Sequence, residues 1–211
     1  MTEHYEKLRA LMVEDQLKKQ GIKSEAVLTA MLNVERHHFV PENLLKYAYN
    51  DSPLPIGLGQ TISQPYIVAY MTEQLLPIMG KKILEIGTGS GYQAAILAYM
   101  GAEVYTIELL EELSARAQKT FKMFDLSNIK TKCSDGFSGW PEEAPFDVII
   151  VTAAPERIPA NLITQLKDGG KMLVPVGPAA SVQFLKCIVK TNNRIIENDL
   201  LPVRFVPMVE N

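Results

Sequence analysis

ILEIGTGSGY, residues 83–92, joins a short apolar segment to a helix-forming one through a turn that contains three glycines. Residues 83–86 are typical of a buried strand, and the residues from Tyr92 onward are typical of a helix. Glycines in the connecting turn remove side chains where a ligand must approach the backbone. The turn is therefore the first candidate for a ligand site.

Strand and helix patterns alternate on either side of this turn, from Gly80 onward. We predict strands at 83–86, 103–107, 129–132, 146–151 and 171–175, and helices at 92–100, 110–124 and 159–166. Apolar strands alternating with helices predict an α/β fold with a mostly parallel, doubly wound sheet. The last 30 residues differ, because 184–190, 194–196 and 203–206 predict an antiparallel hairpin and an edge strand.

The residues before this core form two further segments. Apolar residues recur at helical spacing up to Gly21, and a second helix is predicted to start at Ser24, so 1–50 is expected to be helical. Residues 51–64 are rich in Pro, Gly, Ser and Gln and predict a long loop, followed by a helix from Pro65 to about residue 76. We expect one domain over 1–211, with a helical segment at 1–50, an active-site loop at 51–64 and a cofactor-binding core at 80–211.

Composition excludes several classes of protein. The chain has 211 residues, of which 47% are hydrophobic and 21% charged, so disorder, collagen and coiled coil are excluded. A net charge of -3 provides no excess of positive charge for binding the phosphate backbone of a nucleic acid.

The sequence predicts neither a metal site nor a membrane segment. The two cysteines, and the pair His37 and His38, lack partners at metal-ligand spacing, and we expect no metal. A charged N-terminus without a long apolar run predicts the cytoplasm and no membrane partner.

Carboxylates are predicted at the ends of three successive strands. Gly-x-Gly-x-Gly followed by Tyr92 lacks the spacing of a dinucleotide site, and Glu85 suits a cation better than a phosphate. Glu108 could accept from two ribose hydroxyls, and Asp135, before Gly136, from an adenine amino group. S-adenosylmethionine, which carries an ammonium and a sulfonium, fits this pattern. Alternatively, these acids are ordinary caps or solvated loop residues.

The sequence motifs also limit which chemical group can accept a methyl group from S-adenosylmethionine. Thr152-Ala153-Ala154-Pro155 follows the fourth strand and lacks the Asn/Asp-Pro-Pro-Tyr/Phe motif that handles amines, and neither cysteine lies in a Pro-Cys motif. A carboxylate is already an anion at pH 7 and needs no general base, so it suits this sparse site. The hydroxyls of Thr61 and Ser63 could orient it. Ser63 could equally be a cap of the helix that Pro65 opens.

Longer stretches resemble one family. The glycine turn is similar to the first motif of the Rossmann-like S-adenosylmethionine-dependent methyltransferases. The runs DSPLPIGLGQTISQPYIVAYMTEQLL, WPEEAPFDVIIVTAAPERIPANLITQLKDGGKMLVPVG and RFVPM resemble the protein-L-isoaspartate O-methyltransferases. This resemblance extends over essentially the whole chain.

The resemblance implies an enzyme that methylates the α-carboxylate of L-isoaspartyl residues, and more weakly D-aspartyl residues, in damaged proteins and so initiates their repair. S-adenosylmethionine would be the methyl donor and S-adenosylhomocysteine the product. The residues it assigns are Ser63 as the active-site serine, Thr61 beside cofactor and substrate, Glu85, Gly87 and Gly89 at the methionine end, Glu108 at the ribose, Asp135 and Gly136 at the adenine, and Val206 and Pro207 along the peptide. An RNA or small-molecule methyltransferase and a non-catalytic binding module are the alternatives.

Overall fold

The computed structural model describes residues 2–178, 181–192 and 194–210. The front segment contains helix α1 (Thr2–Leu11), which continues as a π-helical turn (Met12–Leu17), and helix α2 (Glu25–Asn33). Ser24 caps α2, because its Oγ accepts a hydrogen bond from Val27 N at 3.4 Å. Two 3₁₀ turns follow, at Arg36–Phe39 and Glu42–Tyr47. The front of the chain is thus helical, as its apolar spacing predicts.

The segment predicted as a loop contains a short hairpin. Strand β1 (Leu54–Gly57) pairs antiparallel with strand β2 (Gln60–Ile62), and helix α3 (Pro65–Leu75) follows. Three successive residues at the tip have positive φ, namely Gly57 (96°), Leu58 (53°) and Gly59 (73°). The glycines allow this tight reversal, and their abundance hides the strands from a periodicity analysis.

The main sheet has seven strands in the order β5-β4-β3-β6-β7-β8-β9. They are β3 (Lys82–Ile86), β4 (Glu103–Glu108), β5 (Ile129–Cys133), β6 (Phe146–Val151), β7 (Leu166–Val176), β8 (Gln183–Thr191) and β9 (Arg194–Val203). The five strands from β5 to β7 in this order are parallel to one another. The strands β8 and β9 add an antiparallel hairpin at the β7 edge. The predicted doubly wound α/β fold with a C-terminal hairpin is confirmed.

Helices and loops cover both faces of the sheet. Successive residues of β3 point to opposite faces, so Ile83 packs in the cluster that contains α1 to α3, α4 (Tyr92–Tyr99) and α5 (Glu111–Met123). Leu84 packs in a second cluster with α6 (Ala160–Gln165). Both side chains are fully buried, which stabilises the fold by about 1.5–3 kcal/mol for each.

The C-terminal strands differ from the prediction in their bounds. β9 is one strand from Arg194 to Val203, whereas separate strands at 194–196 and 203–206 were expected. Residues 194–199 of this edge strand are exposed, so they lack the apolar alternation that would have marked them. Residues 204–208 leave the sheet edge and return to the carboxyl ends of the parallel strands, where Pro207 forms an isolated bridge with Ala154. Within the described part of the chain, no helix is long and apolar enough to cross a membrane.

Candidate active site

The candidate site lies where the strand order reverses. From β3 the chain proceeds to β4 on one side, and from β6 it proceeds to β7 on the other. Ligands of open α/β sheets bind in the crevice outside the strand ends at such a switch point. A cleft with about 1020 Å³ of empty space, open to solvent, lies there. The cleft is lined by the β1–β2 hairpin, the glycine turn, residues 107–110 and 152–153, Gly136 and the C-terminal segment 206–209.

The glycine turn is tied to the end of β6. Gly87 has φ +95°, and a Cβ built there would lie 2.6 Å from Thr152 Oγ1. Thr152 Oγ1 donates to the carbonyl oxygens of Gly87 at 2.7 Å and Ile86 at 3.0 Å. Gly87 and Gly89 both line the cleft, as predicted from their spacing. Thr152 was not predicted as a site residue, although its position directly after the strand was an available signal.

Glu108 occupies the end of β4, next to the glycine turn. Its Oε2 accepts from Gly89 N at 2.7 Å and its Oε1 from Leu110 N at 3.0 Å. The residue is only 7% exposed, yet it lines the cleft. A carboxylate oxygen has more than one acceptor site, so Glu108 can still accept from hydroxyls of a ligand.

Glu85 lies beneath the glycine turn and does not line the cleft. Its side chain is fully buried, and Oε2 accepts a hydrogen bond from Thr106 Oγ1. Thr106 in turn shares a hydrogen bond with Thr88 across 2.6 Å. Oε1 has no partner among the described residues. Burial raises the pKa of Glu85 to about 8, so its neutral form is favoured at pH 7.

Asp135 has a local partner at the end of β5. Its Oδ1 accepts from Phe137 N at 2.9 Å and caps the short 3₁₀ turn Gly136–Ser138. Gly136 lines the cleft, whereas the Asp135 side chain does not. In this structure Asp135 therefore acts as a cap, which is the alternative left open by the sequence.

Ser63 and Thr61 line the opposite side of the cleft. The residue that caps α3 by position is Gln64, whose side chain makes no capping hydrogen bond. The N–H of Tyr66, in the first turn of α3, instead donates to Asp51 Oδ1 at 3.2 Å, from 15 residues upstream. Ser63 Oγ has no hydrogen-bond partner within the described ranges, so the helix-cap alternative for Ser63 does not describe this geometry.

Asp51 also fixes the loop that carries both hydroxyls. Its Oδ2 accepts from Gln64 Nε2 at 2.8 Å and from Gln20 Nε2 at 2.7 Å. The sequence analysis did not single out this aspartate, since an Asp at the start of a Pro-rich loop is a common turn residue.

The C-terminal segment forms the remaining wall. Val206 and Pro207 line the cleft together with Met208 and Val209, which were not predicted. Ala154 N donates to Val206 O at 2.8 Å, and Met208 N donates to Ala154 O at 2.9 Å. All predicted site residues except Glu85 and Asp135 therefore face one cleft.

A parallel sheet with this strand order, a glycine turn at its switch point and a carboxylate after the next strand define the class of Rossmann-like S-adenosylmethionine-dependent methyltransferases. Within that class, the family model described as protein-L-isoaspartate(D-aspartate) O-methyltransferase (PCMT) matches residues 7–211, and the chain belongs to this family.

Individual relatives agree with this assignment. The chain is 52% identical to a protein-L-isoaspartate O-methyltransferase of Gloeobacter violaceus over 197 residues, which cover 93% of this chain and 96% of that one. It superimposes on a solved protein-L-isoaspartate O-methyltransferase with a TM-score of 0.85 and 31% identity, over 96% of this chain and 65% of that chain. A Plasmodium falciparum structure of the same description, in complex with S-adenosyl-L-homocysteine, has a TM-score of 0.86 and 27% identity over 96% of this chain and 99% of its own.

Proposed function

We propose that this chain transfers the methyl group of S-adenosylmethionine to the α-carboxylate of L-isoaspartyl residues, and more weakly of D-aspartyl residues, in damaged proteins and peptides. The resulting ester starts their repair. The observation that carries this proposal is the free hydroxyl of Ser63, which lines the same cleft as the glycine turn and Glu108.

The residues present fit the cofactor. Gly87 and Gly89 leave backbone exposed for its methionine end, and Glu108 retains acceptor capacity for its ribose hydroxyls. Gly136, with Asp135 beside it, would border the adenine. Glu85 Oε1, buried and without a partner, supplies an unused acceptor beneath the turn. A cation bound above it would favour the ionised form of Glu85.

The chemistry that the cofactor supplies when bound is an electrophilic methyl group on a sulfonium. Ser63 Oγ–H is proposed to donate to one oxygen of the substrate carboxylate, so that the other oxygen faces the methyl group. Holding the two reactants together in attack geometry, to which this hydrogen bond contributes, lowers a barrier by up to about 7–11 kcal/mol. No general base is required, because the acceptor arrives as an anion.

The surrounding side chains favour a dry site. Ile62 and Val68 are buried apolar residues that line the cleft beside Ser63. Where water is excluded, a carboxylate and a sulfonium attract each other strongly, and their charges cancel as the methyl group moves. Thr61 would contact cofactor and substrate, and Val206 and Pro207 would lie along the substrate backbone.

The three segments predicted from the sequence are proposed to work as one domain over 1–211. One cluster of buried residues supports this, because it contains Met12 of the front segment, Ile62 of the 51–64 segment and Ile83 of the 80–211 core. We also propose that proteins and peptides, and not nucleic acids, are the partners, since the net charge is -3. Two free thiols, Cys133 and Cys187, are consistent with a proposed cytoplasmic location.

The test is a methylation assay with paired peptides. The chain is incubated with methyl-labelled S-adenosylmethionine and with two peptides that differ only in an isoaspartyl or a normal aspartyl residue. We expect base-labile label on the isoaspartyl peptide and essentially none on its partner. Equal labelling of the two peptides would refute the repair function.

A further inference from the structure

Three side chains with metal-binding atoms converge outside the cleft, in the front segment just after α2. Glu35, His37 and His38, here called the Glu35–His37–His38 cluster, each place one ligand-type atom within 4.8 Å of the other two. Glu35 Oε2 lies 3.0 Å from His38 Nε2 and 3.9 Å from His37 Nε2. None of the three lines the active-site cleft.

The local backbone explains this convergence. Helix α2 ends at Asn33, and a 3₁₀ turn begins at Arg36 with Glu35 as its N-cap. Side chains three residues apart lie above one another in a 3₁₀ turn, which brings Glu35 and His38 together. The two histidines alone show no metal-ligand spacing in the sequence, and the third candidate ligand is the glutamate before them.

The separations are close to those that a small tetrahedral ion requires. With metal–ligand distances near 2.1 Å, neighbouring ligand atoms in a tetrahedral zinc site lie about 3.4 Å apart. The two separations from Glu35, 3.0 Å and 3.9 Å, lie on either side of that value, and the two histidine atoms lie within 4.8 Å of each other. Side-chain rotations that bring the histidine atoms closer together would therefore place all three atoms around one ion.

Neighbouring residues orient the candidate ligands. His37 Nδ1 is hydrogen-bonded to the Tyr49 hydroxyl at 2.7 Å, which leaves Nε2 toward Glu35, and the ring stacks on Tyr5 at 4.1 Å between centroids. The His38 ring packs edge-on against Phe124. Metal-binding histidines characteristically hold their second ring nitrogen in a hydrogen bond, as His37 does with Tyr49.

Arg9 is a neighbour that opposes a cation. Its Nη1 donates to Glu35 Oε1 at 3.0 Å, so the carboxylate is partly neutralised while Oε2 remains directed at the histidines. This pairing lowers the affinity for a divalent ion but also fixes the carboxylate. The side chains of Glu35 and His38 are 29% and 37% exposed, so an ion could enter from solvent.

We propose that the Glu35–His37–His38 cluster binds a divalent transition-metal ion of the Zn²⁺ type, with solvent completing its coordination. Two imidazoles and one carboxylate match the ligand preference of Zn²⁺ and Co²⁺, whereas Ca²⁺ and Mg²⁺ prefer sites made of oxygen alone. The ion would link the front segment to Phe124 at the end of α5, through His38.

The test is titration of the chelator-treated full chain with Zn²⁺ by calorimetry and with Co²⁺ by visible absorption. We expect about one ion per chain and a Co²⁺ spectrum of nitrogen and oxygen ligands without a thiolate band. His38→Ala should weaken binding at least about tenfold, since it removes a ligand. Cys133→Ser, which changes an exposed thiol, is the matched control and should leave affinity unchanged.

Two further variants distinguish the loss of a metal ligand from a loss of folding. Glu35→Gln keeps the shape of the side chain and should also weaken Zn²⁺ binding. Tyr49→Phe removes only the hydroxyl that holds His37 and should weaken binding about 10-fold. The site would be overturned by Zn²⁺ affinity that is undetectable, unchanged in His38→Ala, or lost in Cys133→Ser.

Discussion

At the scale of single residues, Ser63 is available for chemistry because another residue does the work of a cap. The first turn of α3 presents an unpaired N–H at Tyr66, and a serine before a helix would ordinarily bind such a group. Asp51 binds it instead, so the Ser63 hydroxyl makes no bond within the described structure. A free hydroxyl in a cleft is the property that an orienting donor needs.

Ser63→Ala is expected to slow methyl transfer about 10- to 100-fold, because a hydrogen bond to a charged group is worth roughly 1.5–3 kcal/mol. Affinity for S-adenosylhomocysteine and the unfolding temperature should stay close to those of the parent chain. The turnover rate on an isoaspartyl peptide and calorimetric binding of the product measure the two effects. A variant with full turnover would remove Ser63 from the mechanism.

Glu108→Gln is expected to weaken S-adenosylhomocysteine binding by about 1–3 kcal/mol, since hydrogen bonds from ribose hydroxyls to a neutral amide are weaker than to a carboxylate. Glutamine has one oxygen, so it can accept from only one of the backbone N–H groups of Gly89 and Leu110, and the loss of the other bond contributes to the expected change. Calorimetry measures the change, and the Ser63→Ala chain is the comparison that should bind normally. Unaltered affinity in Glu108→Gln would contradict the ribose role.

At the scale of elements, the loop and α3 are joined through one carboxylate. Asp51 accepts from Gln20, Gln64 and the Tyr66 backbone, and thus connects the front segment, the loop and the helix. Arg116 of α5 adds a second connection by donating to Ile56 O at 2.8 Å. The hydroxyls of residues 61 and 63 are therefore held by contacts that lie outside the cleft.

Asp51→Ala is expected to lower the free energy of unfolding by about 1–3 kcal/mol, because it leaves partly buried donors without an acceptor. Turnover should fall as well, as Ser63 loses its fixed position. Urea unfolding and peptide methylation test both effects, with Asp51→Asn as the control that retains one oxygen for Tyr66 N. If activity survives in Asp51→Ala while stability falls, the aspartate holds the fold but not the site.

The sequence predicted the parallel core well because doubly buried strands such as 83–86 and 146–151 are apolar apart from one acidic residue in each. It missed the β1–β2 hairpin, whose strands are short and rich in Pro and Gly, and the full length of β9, whose exposed side chains lack alternation. Residues that carry a motif, such as Gly87 and Ser63, could be singled out from the sequence, and both line the cleft. Asp51 acts through a long-range contact and has no local pattern to reveal it, whereas Thr152 could have been found from its position directly after β6.

At the scale of the whole molecule, Glu85 couples the stability of the fold to pH. The carboxyl has a reference pKa of 4.5, and burial raises the pKa in the folded chain to about 8. The folded state therefore holds a proton that the unfolded state releases between these values. Stability contributed by this group is present in full below about pH 4.5 and is lost as pH rises toward about 8.

The expected loss is at most about 1.4 kcal/mol for each pH unit. Glu85→Gln keeps the shape but cannot ionise, so its stability relative to the parent chain should increase from pH 5 to pH 9. Urea unfolding of both chains at several pH values, without cofactor, measures this difference, in which the titration of all other groups cancels. Parallel pH profiles for the two chains would show that Glu85 titrates normally.

The attachment of the C-terminal segment has a consequence for how large substrates enter. Both backbone hydrogen bonds of residues 206–208 end on the single residue Ala154, three residues beyond the end of β6. Breaking these two hydrogen bonds and withdrawing Met208 from its hydrophobic cluster would release this side of the cleft while the seven-stranded sheet remains paired. The amide hydrogens of Ala154 and Met208 should accordingly exchange with deuterium sooner than those inside β6. A protein substrate could then enter the cleft from the side of residues 206–208, so that its chain end need not pass through the cleft first.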